Sequence, residues 1–269
     1  PTGKMPHEIA ISPDGRHAAV VAYGGATIDI VDIGARARQK TIDISPNQRP
    51  HGLVWLVDGR LVATAEGSQS VAVIAPGGTV TSIATGQQGT HMIVVAPDNR
   101  TAYIANIASG TVSVLDLAAG KKLRDLAVGG KPEGLSLTKG GRELWVGDLS
   151  APRVSVWDTA KGEKITELAV DPVAIRVLAS PDGKWVATSN IGKGTISLFD
   201  AETRAPVKVI AVSEGDTARQ VTLLWSRDSK RLYAAETGVD KVAEIDVATA
   251  KVLRRIAAGK NGDGLAIAP

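Results

Sequence analysis

Three of the chain's four histidines occupy one phase of a repeat. His7 lies in Met5-Pro6-His7-Glu8-Ile9, His51 in Arg49-Pro50-His51-Gly52-Leu53, and His91 in Gly89-Thr90-His91-Met92-Ile93. Seven residues after each comes a turn sequence: Asp14-Gly15, Asp58-Gly59 and Asp98-Asn99. Neutral imidazole is the commonest nitrogen ligand of transition metals. Three of them with a carboxylate or a water satisfy Zn, Fe, Cu or Mn as a divalent ion. The spacing is meaningless as a linear motif and acquires meaning only if a repeat rotates each imidazole about a common axis. Two other readings use the same residues: imidazoles bonded to backbone at a channel rim, or acid–base groups acting without metal.

The same phase in later repeats is held by Glu133, Ile175, Val221 and Asp263. Glu133 and Asp263 would complete the metal's shell or act as general base toward a metal-bound water attacking an ester or lactone. A second set of positions, at the end of the strand after the turn, reads Ala22, Glu66, Asn106, Asp148, Asn190 and Glu236. Asparagine there caps the following turn. Glu66, Asp148 and Glu236 depart from it and are candidate substrate contacts. Arg176 and Arg219 stand near the same mouth, where one could pair with a substrate carboxylate. Lys4, Arg49, Lys131 and Lys260 recur just before the histidine phase and form a cationic rim.

The elements that must position these groups follow from the repeat. Turn anchors at Asp14, Asp58, Asp98, Gly140, Asp182 and Asp228 recur about every 42 residues with no helical pattern between them, the period of a four-stranded propeller blade. The first strand of each blade, A, carries the histidine phase, as in His91 to Ala96. Strand B follows the anchor (Thr101 to Asn106), then C (Thr111 to Asp116) and D (Leu123 to Val128). Alternation of apolar and polar residues in C and D gives each strand a core side and a wetter side. Pro-Asp-Gly at 13–15 and 181–183 presets tight A–B turns. Asp116, Asp158, Asp200 and Asp246 read as caps of the C–D turns. His17 is expected as an exposed strand residue, and the tryptophans as packing between blades.

Tyr103-Ile104-Ala105-Asn106, with the surrounding Ser-Pro-Asp-Gly, Gly-Thr-Val-Ser-Val-Leu-Asp and Gly-Lys-Pro-Glu-Gly segments, resembles the YVTN-repeat β-propellers of bacteria and archaea. The resemblance covers essentially the whole chain. It implies an all-β fold, a single β-propeller domain over residues 1–269 built from four-stranded antiparallel blades. It is weak on activity, since similar propellers include lactonases, lyases and binding scaffolds. Strand A occurs seven times, the last as Asp263-Gly264-Leu265-Ala266-Ile267-Ala268-Pro269, whereas B, C and D occur six times each. Six full blades plus one extra inner strand favour a seven-bladed design, completed by strands upstream of Pro1, over a six-bladed one. In such a ring Asp263 would neighbour His7.

Composition bounds the rest. The chain is 43% hydrophobic and 22% charged, has 29 glycines and only 3% aromatics, and carries a net charge of +3 with dispersed cations, so no nucleic-acid surface is indicated. Cysteine is absent, which removes disulfides, thiolate metal sites and a cysteine nucleophile. No apolar run approaches the roughly 18–20 residues of a membrane span. There is no Gly-Xaa-Ser-Xaa-Gly elbow, phosphate loop or dinucleotide fingerprint. The expected partner is a small molecule in the axial channel. The expected function is a metal-dependent hydrolase or lyase, with a non-catalytic binding propeller as the alternative, and the expected setting is periplasmic or extracellular.

Overall fold

A computed structural model describes residues 2–268. Twenty-four strands form six sheets among the described residues, each four-stranded, antiparallel and ordered as in the chain. The first blade is β1 (Pro6–Ile11), β2 (His17–Ala22), β3 (Thr27–Asp32) and β4 (Ala37–Asp43). The second is β5 (Pro50–Trp55), β6 (Leu61–Ala65), β7 (Ser70–Ile74) and β8 (Val80–Ala84). The third is β9 (Thr90–Val95), β10 (Thr101–Asn106), β11 (Thr111–Asp116) and β12 (Lys121–Leu126). The fourth is β13 (Pro132–Thr138), β14 (Glu143–Asp148), β15 (Arg153–Asp158) and β16 (Glu163–Ala169). The fifth is β17 (Ala174–Ala179), β18 (Trp185–Asn190), β19 (Thr195–Asp200) and β20 (Pro206–Ala211). The sixth is β21 (Gln220–Trp225), β22 (Arg231–Glu236), β23 (Lys241–Asp246) and β24 (Lys251–Ala257). The blades group into two compact units. One is the chain to Gly129 with the segment from Ala266, and the other is Gly130–Leu265.

The seven-bladed expectation is overturned. Among the described residues the chain makes six blades, and residues 263–268, which read as a seventh inner strand, form no strand. The reason is that alternation of side chains is necessary for a strand and not sufficient. A ladder needs a partner edge, and each of the six sheets already has its own inner strand.

Turn chemistry behaves as local rules require. Ser12 donates its hydroxyl to Asp14 (2.6 Å), and the Gly15 N–H closes the first A–B turn on Ser12 O (2.8 Å). Asp116 accepts the N–H groups of Ala118 and Ala119, with Asp158, Asp200 and Asp246 doing the same for their own C–D turns. The Arg100 guanidinium, and then the turn N–H groups, hold the Asp116 carboxyl at about 2. The core lies between blades. In the first unit Ile28, Ile30 and Ile44 pack with Ala63 and Ile74, and Val71 and Ile83 with Ile104 and Leu115. In the second, Trp145 packs with Val177 and Phe199, and Leu198 with Trp225 and Ile245. Trp145, Trp157 and Trp225 are buried as expected, and Trp55, Trp185 and His17 are half-buried. No helix among the described residues is long and apolar enough to cross a membrane.

One irregularity recurs in all six blades and governs the site. At the start of every inner strand the A–B ladder slips, so that strand A carries one residue more than its partner. In the first blade Pro6 pairs with Ala22 and Ile9 with Val20, which leaves His7 and Glu8 opposite Val21 alone. This is a β-bulge, a device that bends a strand and re-aims its side chains. The histidine phase is the bulge.

Candidate metal centre

The histidine cluster lies wholly within the first unit. His7, on β1, His51, on β5, and His91, on β9, form a stack with ring centroids 4.0 Å apart for His7–His51 and 3.5 Å for His51–His91. Two local features allow this closeness. The bulges aim the three side chains the same way, and Gly52 lets β5 lie against β9. A Cβ at residue 52 would come within 2.8 Å of His91 O and 3.1 Å of the Ile93 N. Thr64 latches the same pair of strands, accepting the Gly52 N–H at 2.8 Å and donating its hydroxyl to His91 O. The glycine of Pro-His-Gly is therefore required by inter-blade approach. Gly134, after Glu133, repeats the device against Val177 N at 2.5 Å.

The group that converges as a metal would require is His7, Glu8 and His51, whose ligand atoms all lie within 4.8 Å of one another. Two ligands about 2.1 Å from one ion stand no more than about 4.2 Å apart, so modest side-chain rotations would close the set. His51 is buried, and His7 and Glu8 are partly covered. Sequence reasoning overlooked Glu8, because neighbours on a regular strand point to opposite faces. The bulge cancels that alternation and brings Glu8 to the side of His7, 3.9 Å from its Nδ1. A glutamate directly after a histidine in the bulge phase was the available signal.

His91, placed by its phase among the ligands, stacks on His51 while its Nδ1 meets the Glu66 carboxylate. Glu66 also accepts the Tyr23 hydroxyl at 2.5 Å and lies 3.7 Å from the Arg49 guanidinium. Arg49 in turn donates to the Tyr23 oxygen and covers its ring, 4.7 Å from the centroid. Burial works to raise the Glu66 pKa, but the His91 and Tyr23 hydrogen bonds and the His91 and Arg49 charges outweigh it and hold the carboxyl below its ordinary value. Burial, then the Glu66 carboxylate, raises that of the Tyr23 phenol. Through its contact with Nδ1, Glu66 holds the His91 ring in place. Tyr23 edges against the stack, 5.8 Å from His7 and 5.7 Å from His51 between centroids.

The structure corrects the position of Glu66. Register pairs Pro50 with Ala65, as it pairs Pro6 with Ala22 and Thr90 with Asn106. Glu66 therefore stands one place beyond the strand-end set, in line with Tyr23, whose N–H bonds Met5 O as that of Glu66 bonds Arg49 O. The hairpin of the second blade is one residue shorter than that of the first, and a fixed offset from the histidine cannot reveal this. The shared position puts Tyr23 and Glu66 face to face across adjacent blades.

The other predicted residues are accounted for as follows. Asn106 and Asn190 cap their B–C turns through the hydroxyls of Thr111 and Ser113, and of Thr195 and Ser197. Asp148 caps a turn as well, accepting Lys131 N and Ser150 N and pairing with Arg153 at 2.8 Å. Glu236 binds the Ser213 hydroxyl and Arg255. Glu133, on the bulge of the fourth blade, makes a buried ion pair with Arg176 at 2.6 Å. Asp263 accepts the Thr222 hydroxyl at 2.6 Å. Arg219 is exposed beside Ile191, Gly192, Asp216 and Thr217 in the second unit.

A family model described as YNCE-like beta-propeller matches residues 1–268. No curated protein matches the chain by sequence. Among solved structures, the hydrazine synthase of Kuenenia stuttgartiensis superposes with a TM-score of 0.84 at 17% identity, over 98% of this chain and 90% of that one. A streptogramin B lyase superposes with a TM-score of 0.84 at 15% identity, over 97% and 87%. At such identities the likeness is one of fold. The resemblance to YVTN-repeat proteins thus holds as a β-propeller, and the matching family is the YNCE-like one.

Proposed function

The chain belongs to the YNCE-like β-propeller family, and since a fold of this kind names no reaction, we propose from the site that the protein binds a divalent transition metal through His7, Glu8 and His51. The observation that carries this is the convergence of their ligand atoms within 4.8 Å on two adjacent bulges. Two imidazoles and a carboxylate are a donor set that catalytic zinc and non-haem iron sites share, and it leaves coordination positions open for water and substrate. A metal held so would polarise a carbonyl or lower the pKa of a bound water, which suits hydrolysis or elimination on a small molecule. Arg49, exposed at the mouth beside Tyr23, supports an anionic group on that molecule. The closed chain of contacts from His91 through Glu66 and Tyr23 to Arg49 supports a second reading, a non-catalytic binding propeller whose imidazoles are structural.

Metal analysis of protein prepared without a histidine tag separates the two. After equilibration with Zn²⁺, Mn²⁺ or anaerobic Fe²⁺, the native chain is expected to hold close to one ion. A His7→Ala, His51→Ala double variant is expected to hold none, and Glu8→Gln to bind measurably more weakly. A native chain that takes up no metal overturns the proposal and leaves the structural reading. With metal bound, esters, lactones and elimination substrates are then compared between loaded and chelated protein.

A further inference from the structure

The second unit contains a cavity of about 410 Å³ on the side of the A–B turns, between the fifth and sixth blades and independent of the histidine cluster. Its floor is apolar: the half-buried ring of Trp185 on β18, with Leu198, Val207 and Val247 around it. The two blades are tied across it. Lys208 Nζ donates to Val247 O and Ala248 O, each at 3.2 Å, and Asp182 N donates to the Ser229 hydroxyl at 3.1 Å. Those ties join the two walls, with Trp185 part of the lining between them.

The polar groups at the rim are unevenly committed. Asp182 accepts from Ser180 and Lys184 N, Asp228 from Ser226 and Lys230 N, and Asp246 from Thr249 and Arg231. These carboxylates are thus engaged by turn groups and by Arg231, and Lys208 is committed as well. Other donors are not. Trp145, Trp157 and Trp225 give their indole N–H to Thr138, Ser155 and Leu178. The Trp185 indole N–H makes no hydrogen bond within the described residues and faces solvent, and Lys230 is exposed and forms no ion pair among them. Lys184, 3.7 Å from Asp182 and largely exposed, is only loosely held. A site lined by an indole and aliphatic side chains, with uncommitted donors at its rim, suits a ligand with a planar apolar body and an anionic acceptor group.

We propose that this cavity binds small aromatic carboxylates, with the ring on Trp185 and the carboxylate between the Trp185 indole N–H and Lys230. The test is protein-observed NMR of the full chain, following the indole N–H resonances, with that of Trp185 identified by its loss in Trp185→Phe. Benzoate is the probe, with benzyl alcohol and benzylamine as neutral and cationic counterparts. Benzoate is expected to shift the Trp185 resonance saturably. Lys230→Met, an exposed substitution, is expected to weaken it about three- to tenfold, as for loss of one charge-assisted hydrogen bond at a wet rim. Three results overturn the proposal: no saturable shift up to the probe's solubility, equal binding of benzyl alcohol, or preference for benzylamine.

Discussion

Gly52→Ala is the substitution on which the geometry of the histidine stack speaks most directly. The added methyl falls 2.8 Å from His91 O and 3.1 Å from both Ile93 N and Ile93 Cγ2, so two of its three nearest neighbours are backbone atoms of β9. Backbone cannot swing away as a side-chain tip can, so β5 must move off β9 and the Thr64 latch between them must stretch. Overpacking of this kind costs about 1–3 kcal/mol. A contact made against a paired strand belongs in the upper half of that range, about 2–3 kcal/mol. Gly77 is the control: a Cβ there meets nothing within 4 Å and its backbone lies outside the left-handed region. Gly77→Ala is therefore expected to be neutral, or to gain up to about 1 kcal/mol by restricting the unfolded chain. Urea unfolding followed by circular dichroism should show a lower midpoint with an unchanged slope for Gly52→Ala, and no loss for Gly77→Ala. A Gly52→Ala protein with the native midpoint would refute the claim that the Pro-His-Gly glycine exists for inter-blade approach.

Other consequences concern charge. Arg176→Met leaves the Glu133 carboxylate buried without its guanidinium, and unfolding should show a loss of about 3 kcal/mol or more. Adding Glu133→Gln should restore part of it, and a double variant as unstable as the single would argue against the pair. Burial tends to raise the Glu143 pKa, but Arg204 and Lys139 hold it below its ordinary value. Its contribution to stability is therefore fully present above the unfolded carboxyl's pKa and is lost as pH falls through the folded one. Arg204→Met should flatten that acid limb in unfolding measured against pH, with little change in slope near neutrality. At the cluster, Glu66→Gln removes the negative charge beside Tyr23 while the burial remains, so ultraviolet titration should show one of the three phenols ionising at lower pH. An unchanged Tyr23 titration would mean that burial alone sets its value.

The repeat period, the order of strands, the turn caps and the shared phase of His7, His51 and His91 were all legible in the chain. Each rests on chemistry that spans a few residues: alternation of side chains, the φ of proline, an aspartate bonding its own turn. The D strands began about two residues earlier than alternation alone placed them, as at Lys121–Leu126. What needed the third dimension was everything that depends on a partner. The stretch from Asp263 has a strand's alternation but joins none of the six sheets, each of which already has its inner strand, so six blades form among the described residues. Glu8 joins His7 because a bulge, a mismatch between two strands, undoes the alternation that one strand shows. Glu66 meets Tyr23 and His91 because one hairpin is a residue shorter than another, which only register exposes. Local sequence determines which residues can be ligands. The pairing of strands and the approach of blades decide which of them stand together, because those distances are set between segments some 40 residues apart in the chain.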